Sequence, residues 1–332
     1  GPHTMVSPDG LHWTRLSKEP ICKSNDVITA YYDEARKLYI AFPKHSTPVR
    51  GGPVRRCFAL TTSSDFITWT QPRYVLTPDQ RDDAGTLARV EEVRSLLDVP
   101  DDPALMRTEF YGVAVHVAES CTLAFPWMFS INNNARYGNH EGPGEVQLAV
   151  TRDLQTWDRP FRTPIIPRGK VGEWDCGFFT TPAQALTVGD EVWLYYSGSN
   201  YTHGTPCLYR SEGTGRGSKY TSSIGLAKWK RDRFVSADAG ADGGVLTTVP
   251  IKYRGKSLEL NAVTDTGGEI VVEMLDLHGK VLGRTKPFSG DDLRHQADWL
   301  DDPHVDQMAG KPASLRFHLK SARLFAFAFR DR

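Results

Sequence analysis

The feature that most limits how this chain can fold is a seven-residue pattern, Ser or Thr, any residue, Asp, three residues, Trp. It occurs three times, as Ser7-Pro-Asp-Gly-Leu-His-Trp13, Ser63-Ser-Asp-Phe-Ile-Thr-Trp69 and Thr151-Arg-Asp-Leu-Gln-Thr-Trp157. A hydroxyl residue two places before an Asp suits a tight turn, because both side chains can bond nearby backbone N–H groups. The Trp then fills an apolar seam between neighbouring sheets. A degenerate fourth copy is read at Lys228-Trp-Lys-Arg-Asp-Arg-Phe234, where Ile224-Gly-Leu-Ala227 echoes Val146-Gln-Leu-Ala149. Unequal spacing argues for blades with variable loops rather than a rigid solenoid. Trp13, Trp69 and Trp157 are expected to be largely buried at equivalent outer edges of successive units.

Between the turns the chain reads as short strands. Residues 6 to 21 enter as the last strand of a unit, as if earlier strands lay upstream. Asn25 to Tyr32, Lys37 to Pro43 and Arg56 to Thr62 form the next unit, with Asp33-Glu-Ala-Arg36 as a turn. Asp82 to Leu97 has helical spacing and reads as an excursion. A second unit follows in Glu109 to Val117, Cys121 to Phe129 and Glu145 to Val150, with a polar loop from Asn132 to Gly144. The third comprises Asp175 to Leu186, Glu191 to Tyr196 and Ile224 to Trp229, with a long polar loop from Ser197 to Ser222. Beyond Gly240 the turn pattern disappears. Leu258 to Asn261, Glu269 to Asp276, Lys280 to Thr285 and Ala313 to Phe329 predict a separate all-β module, most simply a small sandwich. The domains expected are therefore 1–240 and 241–332.

Composition narrows the partners. The chain has 40 Lys plus Arg and 40 Asp plus Glu, so no net field would hold it on nucleic acid or an anionic membrane. A neutral partner is expected. Eight Trp supply both core filler and platforms for flat apolar faces such as those of sugars. The cysteines at 22, 57, 121, 176 and 207 stand singly without CxxC spacing, which argues against thiolate metal binding. No cofactor is implied. The opening Gly-Pro-His-Thr-Met reads as a cloning remnant with no signal-peptide apolar region, and both cytoplasmic and secreted locations stay open.

Aligning the units on their second strands and turns brings Asp26, Glu109 and Asp175 to one register, each at the start of a first strand. In a propeller, first strands line the central channel, so these acids are expected to converge. One protonated carboxyl and one ionised carboxylate are what glycoside hydrolysis requires. The alternative for each acid is a strand cap or an arginine pair. Asn25, Arg107, Trp127, His140, Glu141, Trp174, Asn200, Tyr201 and His203 lie beside these strands or in loops at the same end, with aromatic faces to stack on sugar rings and polar groups to bond hydroxyls. No His pair has helical metal-ligand spacing, Gly213-Thr-Gly-Arg-Gly217 lacks the ending of a phosphate loop, and no Gly-x-Ser-x-Gly elbow is present.

The Ser-x-Asp-x-x-x-Trp turns, Asn25-Asp26-Val, Gly172-Glu-Trp-Asp-Cys-Gly177 and Asp190-Glu-Val-Trp-Leu-Tyr-Tyr-Ser-Gly198 together resemble the five-bladed β-propeller glycosidases of families thirty-two and forty-three. These are the fructofuranosidases and the arabinofuranosidases or xylosidases. The end of the chain is similar to the β-sandwich that follows the propeller in the fructofuranosidase branch. The resemblance implies an all-β chain, a propeller followed by a sandwich, that cleaves a neutral saccharide, furanosides included. It also implies a funnel with three acids: a nucleophile or base (Asp26), a general acid (Glu109) and a supporting acid (Asp175). The family's usual order is Asp, Asp, Glu, and its Trp-x-Asn-Asp-Pro-Asn-Gly, Arg-Asp-Pro and Glu-Cys signatures are absent here. The rival readings are a propeller that binds glycans without cleaving them and a sialidase-like enzyme. The latter requires an arginine triad, a Tyr-Glu pair and a Gly in the turn pattern.

Overall fold

The computed structural model describes residues 1–136, 139–204, 221–301 and 303–331. Cys207, Gly213 to Gly217 and most of the loop from Ser197 to Ser222 lie outside the described residues. The chain is all-β and divides into two compact units, Gly1–Val188 with Trp193–Lys228, and Gly189–Val192 with Trp229–Arg332. No helix among the described residues is long and apolar enough to cross a membrane.

The first unit opens with a hairpin of β1 (Met5–Val6) and β2 (Thr14–Arg15). A four-stranded antiparallel sheet follows in sequential order: β3 (Ile28–Asp33), β4 (Leu38–Pro48), β5 (Val54–Ser63) and β6 (Arg73–Leu76). Next come the helices α1 (Gln80–Ala84) and α2 (Thr86–Glu91), where an excursion is expected from the sequence. The second sheet holds β7 (Arg107–Val117), β8 (Thr122–Ile131), β9 (Gly144–Val146) and β10 (Ala149–Thr151), with β8 central. Gln147 and Leu148 split what reads as one strand. The third sheet holds β11 (Phe178–Thr180), β12 (Leu186–Val188), β13 (Glu191–Ser199) and β14 (Ser222–Lys230), with β13 pairing all the others. Its expected continuous first strand is broken, β11 and β12 being separated by Pro182, which has no N–H to donate to a ladder. Among the described residues none of these sheets closes on itself.

First strands of successive sheets are neighbours. The Thr29 hydroxyl in β3 donates to the Val113 carbonyl in β7 at 2.5 Å. Val115 in β7 in turn exchanges backbone bonds with Ala183 and Ala185 at 2.9 Å each. Tyr31, Ile40, Phe42 and Phe58 from the first sheet and Phe110, Val113, Val115 and Met128 from the second share one buried core.

The three turns have the same internal bonding. In each, the Asp carboxylate accepts from the N–H groups two and three residues on: Leu11 and His12, Ile67 and Thr68, Gln155 and Thr156, at 2.7–2.8 Å. The residue after the Asp is left-handed in every copy, at Gly10 (φ 77°), Phe66 (φ 63°) and Leu154 (φ 60°). For a residue with a Cβ this conformation costs on the order of 1–2 kcal/mol, offset at Leu154 by burial in the core. The third turn spans a seam, with Trp157 half-buried and not largely buried as expected: it meets Phe42 edge-on at 5.7 Å, and Arg36 and Arg73 donate to the carbonyls of Arg152 and Leu154. Trp69 is half-buried against Phe66. Trp13 departs from the expectation. It is 56% exposed, because its two-stranded hairpin has no apolar sheet face beneath it. In the degenerate copy Asp232 is left-handed, and Trp229 packs on Phe234 at 5.3 Å.

The excursion anchors the start of β7. Asp79 and Asp82 form a capping box on α1. The buried Asp82 carboxylate accepts a bidentate pair from Arg159 at 2.6 and 2.7 Å and a third bond from Arg162 at 2.9 Å. Arg89 donates to Ser130 and Thr108, one residue before Glu109, at 2.7 Å each.

The second unit contains β15 (Ala237–Ala239), β16 (Gly244–Thr247), β17 (Ile251–Lys252), β18 (Ser257–Leu275), β19 (Val281–Arg284), β20 (Asp291–Gln296), the short helix α3 (Val305–Met308) and β21 (Pro312–Arg330). All seven strands belong to one sheet, in place of the two expected of a sandwich. Leu258 to Asn261 and Glu269 to Asp276, read as separate strands, are halves of β18. The chain bends instead of breaking: a register shift between Thr264 and Glu269, with Gly267 left-handed, faces the left-handed Ser321 of β21. Both halves then cover one core of Leu258, Leu260, Ile270, Val272, Met274 and Phe317.

Candidate functional site

Alternation along β7 puts Arg107, Glu109 and Tyr111 on one face. Glu109 is 1% exposed, and each of its oxygens accepts from a guanidinium: Oε1 from Arg107 at 2.8 Å and Oε2 from Arg56 of β5 at 2.9 Å. His140 lies 3.3 Å from both arginines. A neutral imidazole has one acceptor nitrogen, so it can take a bond from only one of them at a time. Burial foremost, reinforced by the two guanidiniums and opposed by Glu109, holds His140 below the usual histidine range.

Asp26 precedes β3 and is exposed, paired with the ammonium of Lys44 from β4. Burial would raise Asp26, yet the Lys44 bond and charge outweigh it and leave the carboxyl lowered. The Lys44 ammonium sits 3.9 Å from the centre of the Tyr111 ring, and Arg56 lies 5.3 Å from the same centre. Asp26 and Glu109 therefore share one cluster, joined through Lys44, Tyr111 and Arg56. Asn25 beside it is exposed and donates to Ser46 at 2.9 Å. His203 packs on Tyr111, Phe129 and Phe178. Its Nδ1 is 2.8 Å from the His140 carbonyl, which can only accept, so Nδ1 carries the proton and Nε2 accepts from the Tyr111 hydroxyl at 3.3 Å. Burial pushes His203 down to about 4.

Asp175 stands in a second cluster. It is 9% exposed, and its Oδ2 accepts from the Tyr196 hydroxyl at 3.0 Å. Trp174 is 36% exposed and stacks one face on Tyr196, with centroids 5.7 Å apart and planes 21° from parallel. Pro167, Arg168, Gly169, Glu173, Trp174 and Asp175 line a cavity of about 390 Å³. A Cβ on Gly169 would lie 2.3 Å from Asp175 Oδ1, so a side chain there would push that carboxylate aside. Three residues on, Phe178 touches Tyr111 at 5.6 Å, which ties β11 to the first cluster. No hydrogen bond or ion pair joins Asp175 to Asp26 or Glu109 among the described residues.

Several expected sugar contacts have other work. Trp127 is 7% exposed in the middle of β8, its indole N–H donates to Thr181 at 2.8 Å, and its ring lies against Gly112, so it offers no platform. Glu141 is buried and accepts from the Asp98 N–H at 2.7 Å, bracing the loop that carries His140. Asn200 accepts from the Thr221 N–H at 2.8 Å. Tyr201 is half-buried, with its carbonyl bonded by the Ser199 hydroxyl at 2.7 Å. Sequence reasoning missed Lys44, Arg56, Tyr111 and Tyr196. Of these, Tyr196 had a signal, a Tyr pair two residues before a Gly in the third unit's central strand.

No family model and no curated protein matches the chain. Among solved structures it is similar to an N-acetylgalactosamine deacetylase from F. plautii, with 15% identity over 61% of this chain and 49% of that one and a TM-score of 0.37. It is also similar to a family 43 arabinoxylan arabinofuranohydrolase from Bacillus subtilis (12% identity, 98% of this chain, 73% of that one, TM-score 0.35). A family 117 glycoside hydrolase from Zobellia galactanivorans matches as well (15% identity, 62% and 56%, TM-score 0.35). The chain spans about half the length of the deacetylase.

Proposed function

We propose that the first unit is a propeller-type glycoside hydrolase domain acting on a neutral saccharide, with Asp26, Glu109 and Asp175 as its acids. The observation that carries this reading is the cavity in which a half-exposed indole, Trp174, adjoins a carboxylate, Asp175, whose hydrogen-bond donor among the described residues is the neutral Tyr196 hydroxyl. A sugar stacked on Trp174 would place a glycosidic oxygen next to that carboxyl, as acid–base catalysis requires. The roles expected from sequence change accordingly. Asp175 serves as acid–base, Asp26 as the second carboxylate, and Glu109 as the anion that organises Arg56, Arg107 and His140 around a hydroxyl.

Asp175→Asn should slow hydrolysis of a substrate with a poor leaving group by about two to four decades. A nitrophenyl glycoside, which needs little protonation, should lose less. Equal losses on both substrates would remove Asp175 from the acid role. A second reading, glycan binding without cleavage, is favoured by the arginine bond on each oxygen of Glu109. It stands if a broad panel of aryl glycosides and oligosaccharides binds but releases no reducing sugar.

A further inference from the structure

We propose that Tyr196 is the positioning residue of this site: its hydroxyl fixes the Asp175 carboxylate while its ring fixes the Trp174 platform, so one side chain sets the reacting acid against the sugar-stacking surface. The inference rests on the roles given above to Asp175 and Trp174.

Three features of β13 and its neighbours support it. The Tyr196 hydroxyl donates to Asp175 Oδ2 at 3.0 Å while the same ring stacks on Trp174. The ring is itself wedged. Phe179, fully buried, packs against it at 5.0 Å, and a Cβ on Gly225 of β14 would lie 2.4 Å from its Cζ, so that glycine makes the ring's seat. Two residues along the same face of β13, Gly198 leaves a hollow: a Cβ there would be 2.6 Å from the Asp175 Cβ and 2.9 Å from the Trp174 ring. The strand thus presents a ring and then a gap, and the Trp174–Asp175 pair fits that relief. Burial, aided by the charge of Asp175, pushes Tyr196 up to about 12, so the hydroxyl remains a donor at any working pH.

A ring that only filled space would lose nothing as phenylalanine. Tyr196→Phe keeps the stack and removes the donor, so kcat should fall about tenfold with KM within about twofold, corresponding to loss of one charge-assisted bond. Tyr196→Leu removes the stack as well and should raise KM in addition. Wild-type kcat in Tyr196→Phe, or a rise in KM with kcat unchanged, would overturn the proposal.

A second measurement needs neither activity nor a folded variant of Tyr196. In the unmodified protein labelled with 13C at aspartate carboxyls and tyrosine Cζ, the Tyr196 resonance should titrate with the same midpoint as the Asp175 carboxyl, assigned by comparison with Asp175→Asn. Independent midpoints would sink the proposal. A protein that hydrolyses nothing but shows the shared midpoint would refute the glycosidase reading and leave this positioning intact.

Discussion

The fold holds the His203 side chain neutral. Its ring lies among Tyr111, Phe129 and Phe178, donates to a carbonyl and accepts from a phenol, an arrangement that only the neutral tautomer can make. Burial lowers its pKa from 6.5 to about 4. Between those values an unfolded chain binds a proton at this position and the folded one does not, so stability rises with pH across the window. The contribution is complete above 6.5 and is lost as the pH falls towards 4. Chemical denaturation between pH 7 and about 5 should show falling stability, and His203→Gln should flatten that slope. Some slope should persist, because His140 is held low in the same way.

At the scale of elements, one turn serves two situations. In the third copy the Thr151 hydroxyl is buried and accepts from the N–H groups of Asp153 and Leu154 at 3.3 and 3.0 Å, beneath a seam closed by Trp157. Thr151→Ala should therefore cost about 1 kcal/mol, as loss of a helix cap does. In the first copy the same bonds hold an exposed hairpin, where local fraying absorbs the loss. Ser7→Ala should leave the global unfolding free energy within about 0.5 kcal/mol. Denaturant titration of both variants checks the contrast, and equal effects would mean that the turn acts alone and not through the seam.

At the scale of the molecule, each unit has a buried core of its own, one around Phe42, Phe58 and Phe110, the other around Leu260, Val272 and Phe317. Phe317 is fully buried, so Phe317→Ala should cost about 3–5 kcal/mol. Hydrogen exchange should report the loss first in β18 and β21.

What could be read from the chain is what depends on neighbours in sequence. The hydroxyl and carboxylate of each turn bond backbone two and three residues away, so the pattern sufficed to place all three turns, and helical spacing marked the excursion. The three acids were picked out by register, but the structure sets Asp26 two residues before β3, Glu109 within β7 and Asp175 in a turn three residues before β11. Tertiary structure alone decided their company. Arg56 and Lys44 come from other strands to meet Glu109 and Asp26, and Gly112 turns Trp127 from a platform into core. Trp13 and Trp157 carry the same local code, yet one is exposed and the other half-buried against Phe42, because burial belongs to whatever surface packs opposite. A turn is closed by bonds a few residues long, whereas a site is closed by side chains that only the packing of sheets brings within reach.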